Sequence, residues 1–215
     1  MLLLASAFTQ VRGVGVVAWD TGPGQARGWP AALAAALADG AVLGRGKLAG
    51  YLETGGGCDL LGPGAAGTDA DFAAVRDTLA RHYQLAIVDS GNDLRGDGWR
   101  RAVDASDQLV VTIPASSATA GSAAVRLLDA LERDGRRRLV RHAVTVVTAA
   151  PGRFDAGRRD ADLATIQRHF AGRTRAMHVV PHDRALAGGP ANAGAAGAAT
   201  RAAWLRIAAE VADGL

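Results

Sequence analysis

Apolar runs at positions 14–19, 85–89, 109–113, 143–148 and 176–180 alternate along the chain with segments whose apolar residues recur at helical spacing. Several runs are continuous rather than alternating, as expected of strands covered on both faces. The order of runs and helical segments predicts an α/β fold: a mostly parallel sheet with helices on both faces. Phe72, Val75 and Leu79 fall at i, i+3 and i+7 behind a capping-box arrangement of Thr68 and Asp71, so a helix should lead into the 85–89 strand. Val125, Leu128 and Leu131 repeat the pattern ahead of Gly135, a C-terminal cap. Leu163, Ile166 and Phe170 do so before Gly172, and Trp204, Ile207, Ala208 and Val211 give the last helix one apolar face.

The glycine-rich stretch 40–67 predicts loops around a short segment near Cys58-Asp59-Leu60-Leu61, and 188–199 a loop feeding the final helix. No internal repeat or linker interrupts the chain, which reads as one domain, 1–215. The opening Met1-Leu2-Leu3-Leu4-Ala5-Ser6-Ala7 lacks a basic flank and is too short for a signal peptide, so it is read as helix.

Composition changes this picture little. With 215 residues, 49% hydrophobic and 21% charged, the chain can bury a sizeable core. The formal charge is +3, and the basic side is arginine apart from Lys47. A lone Cys58 excludes an internal disulfide framework and fits a reducing compartment. No run approaches the roughly 18 apolar residues of a spanning helix. The last helix, where Arg201, Arg206, Glu210 and Asp213 mix signs, does not resemble a membrane anchor. A soluble, cytoplasmic protein is the expectation.

The candidate chemistry begins at Leu85-Ala86-Ile87-Val88-Asp89-Ser90-Gly91-Asn92-Asp93. An apolar strand here delivers one carboxylate into a glycine turn, in the manner of a Walker B strand. A carboxylate ending a buried strand is costly unless paired, hydrogen-bonded or metal-bound, and the carboxyl edge of a parallel sheet is where ligands bind. Asp20 closes Val14-Gly15-Val16-Val17-Ala18-Trp19 in the same way. A glycine-rich phosphate loop ending in Lys and Ser/Thr should accompany such a strand, and the sequence has none.

Three patterns mimic sites. Gly13-Val14-Gly15-Val16-Val17-Ala18 matches G-x-G-x-x-A but opens a strand, where a dinucleotide fingerprint would open a helix. Gly44-Arg45-Gly46-Lys47-Leu48 has the wrong glycine spacing and Leu48 in place of Ser/Thr, leaving Lys47 a solvated residue. His178 and His182 are four apart, but Pro181 between them excludes the helical geometry of a zinc pair.

With these residues in place, nearly the whole chain resembles the MinD/ParA family of P-loop ATPases, which position division or partition machinery in bacteria. The matching pieces are Val16-Val17-Ala18-Trp19-Asp20 behind a helix, Tyr83 to Gly91, Ala105-Ser106-Asp107-Gln108-Leu109-Val110-Val111, and Val179-Val180-Pro181-His182-Asp183. The resemblance implies ATP and Mg²⁺ as cofactors, with Asp89 reaching the metal through water, Asp20 near the attacking water and Gly91 in the turn that follows. Thr148, Pro181 and Asp183 would lie on the base side. A homodimer and a protein partner in a partition, division or secretion system are implied too.

The chain departs from the family where the phosphate loop should be. The Lys that neutralises phosphate charge and the Ser/Thr that holds Mg²⁺ are absent, as is the strand before the loop, which in this architecture is central. Its absence would leave unpaired backbone groups on two neighbouring strands. A second departure is Thr148-Ala149-Ala150-Pro151, where relatives often place an Asn. Phosphoryl transfer rests on positioning and electrostatics, so the chain as written should hydrolyse ATP poorly or not at all. One expectation is an ATPase domain whose recorded start lies inside the gene product. The alternative is a catalytically silent relative acting as a scaffold or regulator. Arg136, Arg137, Arg138 and Arg141, the densest positive cluster, read either as a solvated helix end or as non-specific contacts to DNA phosphates.

Overall fold

The computed structural model describes residues 1–13, 15–21, 29–38, 40–62, 67–91, 94, 96–115, 118–149, 156–186 and 193–215. The chain divides into two compact units, one of residues 1–105 with 191–194 and the other of 106–190 with 195–215. Each has its own sheet and core.

The first unit contains α1 (Leu2–Arg12), β1 (Val16–Asp20), α2 (Trp29–Ala38), α3 (Arg45–Ala49), β2 (Glu53–Gly55), β3 (Cys58–Leu61), α4 (Asp69–His82), β4 (Leu85–Asp89) and α5 (Asp97–Asp104). Its strand order is β2-β3-β1-β4. β3 and β4 both run parallel to β1, while β2 is antiparallel to β3. The opening apolar run forms α1, which ends at Gly13 in the left-handed region, φ 58°, its N–H bonded to Thr9 O. The strand expected from Val14 begins at Val16, and Val14 lies outside the described residues. The capping box at Thr68 is formed: Thr68 Oγ1 accepts from Asp71 N–H at 3.2 Å, and Asp71 Oδ2 accepts from Thr68 N–H at 2.8 Å. Below this cap, Phe72, Val75 and Leu79 meet Val17, Trp19, Leu33, Leu48 and Leu61 in one buried cluster. Trp19 stacks on Phe72 with ring centroids 4.7 Å apart.

β2 was not foreseen. Glu53 and Thr54 are exposed and carry no apolar signal; their strand exists because Gly56 and Gly57, both at positive φ (64° and 82°), make a two-residue hairpin turn onto β3.

The second unit contains β5 (Val110–Pro114), α6 (Ala118–Arg133), α7 (Arg137–His142), β6 (Val144–Thr148), α8 (Ala156–Phe170), β7 (Ala176–Val180) and α9 (Ala198–Ala212). The sheet is β5-β6-β7, parallel throughout. α6 packs on β5 and α8, and α9 on β6 and β7. Ile113, Leu128, Leu131, Val144, Val146, Val147 and Ile207 are fully buried. Gly135, φ 82°, ends α6 as expected, and Arg136 N–H reaches back to Leu131 O at 2.8 Å. Among the described residues the strands form a mostly parallel four-stranded sheet with β4 at one end and a parallel three-stranded sheet with β5 at one end, with helices packed around them, as the α/β reading expected.

Candidate functional site

The two strand-end aspartates hold partner positions of one parallel ladder. β1 and β4 pair in parallel register from Val16↔Leu85 to Asp20↔Asp89, and partners in a parallel ladder share a face, with strand axes about 4.8 Å apart. The sheet edge that holds them is the carboxyl edge of all three parallel strands of the first unit. Thr21 fixes the alignment. Its N–H and its Oγ1 both donate to Asp89 O, each at 2.9 Å, and Thr21 is 7% exposed. Beyond β4, Gly91 takes φ 67°, and its N–H donates to Asp89 Oδ1 at 3.1 Å. The turn therefore orients the Asp89 carboxylate while leaving it exposed; Asp20 is half-buried.

Two neighbouring carboxylates on one face repel one another, and a cation relieves that repulsion. Among the described residues no group of three or more His, Cys, Asp or Glu could hold a metal ion. Among the described residues no phosphate-loop lysine stands beside the pair. Lys47, the sequence's one lysine, is exposed on α3, and the following Leu48 is fully buried in the core.

Thr148, Pro181 and Asp183 share the carboxyl edge of the second sheet. Thr148 pairs with Pro114 on one side and Val180 on the other, with Ala115 N–H on Thr148 O and Ala149 N–H on Val180 O, both 2.9 Å. Thr148 ends the fully covered strand β6, and Pro181 is exposed immediately after β7. Asp183 Oδ2 accepts from Gly197 N–H at 2.6 Å and Oδ1 from Ala185 N–H at 3.0 Å. Gly197 N–H first, then the Thr200 hydroxyl and Ala185 N–H, hold its carboxyl below the usual carboxylate range. The structure thus gathers Asp20, Asp89 and Gly91 at one sheet edge and Thr148, Pro181 and Asp183 at another. Ala150, Pro151, Asn92 and Asp93 lie outside the described residues.

The remaining candidates are placed as follows. Gly13 and Gly15 flank the entry to β1, so their glycine pattern precedes a strand. His178 lies within β7, its Nε2 3.8 Å from Glu210 Oε2 on α9, whereas His182 is exposed past the strand end. Arg137, Arg138 and Arg141 are exposed on α7, a short helix of its own, and Arg136 is half-buried before it. Cys58 is buried with its Sγ donating to Gly55 O, and burial pushes its thiol up. Sequence reasoning missed Thr21 and Thr200, whose roles depend on partners distant in the chain.

No family model matches this chain, and no curated protein does. Among solved structures, it is similar to the MinC:MinD cell division protein complex of Aquifex aeolicus, with TM-score 0.66 at 14% identity over 99% of this chain and 88% of that one. It is also similar to the MinD cell division protein of the same organism, with TM-score 0.60 at 14% identity over 99% and 87%. Among the described residues no helix is long and apolar enough to cross a membrane. At this identity the likeness speaks to architecture: the chain has a MinD-like α/β fold.

Proposed function

We propose that the chain is a nucleotide-switch domain of MinD/ParA type whose nucleotide site is incomplete. The observation that carries the reading is the in-register pair Asp20 and Asp89 at the carboxyl ends of adjacent parallel strands. In that reading Asp89 holds Mg²⁺ of a bound ATP through water, Asp20 lies near the attacking water, and Gly91 lets the turn after β4 respond to the phosphates. Thr148, Pro181 and Asp183 form the base side. The phosphate charge has no lysine to meet it, so the 215 residues by themselves bind Mg-ATP weakly and do not turn it over. β4 is paired on one side alone among the described residues. A further strand along its free edge, running into a phosphate loop, would complete sheet and site together.

Calorimetric titration of the 215-residue chain with Mg-ATP, at protein concentrations high enough to read weak binding, tests this. Weak, Mg²⁺-dependent binding that Asp89→Ala abolishes is expected. Absence of binding, or binding indifferent to Asp89→Ala, overturns it and leaves a silent scaffold or regulator of the same fold. The exposed arginines of α7 favour a second role in either case, non-specific contact with DNA phosphates. Retention on DNA should then fall steeply with added salt and weaken in Arg137→Ala/Arg138→Ala. Salt-indifferent retention refutes it.

A further inference from the structure

We propose that Asp183 is a positioning residue, a clasp that ties the first turn of α9 to the turn leaving β7 and so fixes Pro181 and His182 at the carboxyl edge of the second sheet. α9 has no cap of its own: Gly197 occupies its N-cap position and offers no side chain. The four leading N–H groups of a helix need acceptors from somewhere. Asp183 supplies one from fourteen residues upstream, with Oδ2 2.6 Å from Gly197 N. The same carboxylate takes Ala185 N–H through Oδ1 at 3.0 Å and the hydroxyl of Thr200, which is 2% exposed. Three donors from both ends of the connection converge on one side chain. Close approach is built in on the other side too, since a Cβ on Gly197 would lie 3.3 Å from Asp183 Oδ2.

A carboxylate engaged by three donors inside its own fold keeps little acceptor capacity for a ligand. Asp183 therefore acts through the backbone it holds. That the held turn faces a nucleotide base rests on the function proposed above; the clasp itself does not, and its test uses no nucleotide, so the two readings fail separately.

Amide hydrogen exchange on the 215-residue chain reads the clasp at Ala185, Gly197 and the first turn of α9, with the β6 amides as internal control. In Asp183→Ala the clasp amides should exchange at least tenfold faster while β6 is unchanged. Asp183→Asn retains one acceptor oxygen and should fall between the two. Gly197→Ala, which presses a methyl onto Oδ2, should loosen the same amides with Asp183 intact. In the wild type the Gly197 amide chemical shift should titrate as the Asp183 carboxyl protonates in acid, and in Asp183→Asn it should not. Should Asp183→Ala fail to fold, the Asn variant, Gly197→Ala and the titration still decide. Unchanged exchange at Ala185 and Gly197 in these variants, or a Gly197 shift indifferent to acid, overturns the proposal.

Discussion

β1 and β4 are neighbours of equal length, both apolar, both ending in aspartate, and paired residue for residue. Their surroundings differ. β1 has strands on both sides, and Val16, Val17, Ala18 and Trp19 are all at most 3% exposed. Among the described residues β4 has one neighbour; Ala86 is exposed and Leu85, Ile87 and Val88 are half-buried. A continuous apolar strand belongs where both faces and both edges are covered, and an edge without lysine, proline or bulge invites pairing. The difference teaches that β4 has the sequence of an interior strand in the position of an edge strand. The same holds in part for β5, whose Thr112 is exposed while its partner β6 is covered along Val144–Val147.

The largest effect should come from testing that contrast directly. Trp19→Ala removes a fully buried ring stacked on Phe72 and should cost about 3–5 kcal/mol in urea unfolding. Ile87→Ala, at the middle of the half-covered strand, should cost under about 2 kcal/mol. If the two cost the same, β4 is not an edge, and the comparison fails.

What the sequence revealed follows from the range over which each signal acts. Continuous apolar runs gave β1, β4, β6 and β7 within two residues, because four or more apolar residues in sequence between polar or glycine-bearing flanks mark a strand whether or not every position is buried. The Thr68–Asp71 box was legible because its partners are three residues apart. The adjacency of Asp20 and Asp89 was legible as a consequence of topology: two parallel strands that each end in a carboxylate place both at one edge. β2 was not, since Glu53 and Thr54 are solvent-facing and their pairing is dictated by the glycine turn. The Thr21 bonds to Asp89 span 68 positions and the Asp183 clasp spans 14, distances at which no local pattern operates.

Thr21 offers an intermediate test. Its hydroxyl ties the exit of β1 to the backbone carbonyl that ends β4. Thr21→Val keeps the shape and the backbone bond but removes the hydroxyl, and should lower stability by about 1 kcal/mol. Exchange of the Gly91 amide, which reports the Asp89 turn, should quicken in the variant while the β3 amides hold. A loss of stability spread evenly over the unit would mean that Thr21 is a packing residue and does not align the pair.

The smallest effect concerns the charges. Aspartates at partner positions of a parallel ladder, one half-buried and one exposed, repel through a partly aqueous medium. Such repulsion is screened by salt within about 10 Å at 0.1 M. Asp89→Asn removes it and also the anion that the Gly91 N–H supports, so the two changes oppose each other and net stability should move by no more than about 0.5 kcal/mol. The distinguishing signal is the salt response: added sodium chloride should stabilise the wild type more than Asp89→Asn, and Asp20→Asn should reproduce that loss. Equal salt responses in all three proteins would show that the carboxylates, though adjacent by register, turn apart and do not share a cation. That outcome would remove the electrostatic reason for a metal-bound phosphate at this edge, while leaving the contrast between β1 and β4 intact.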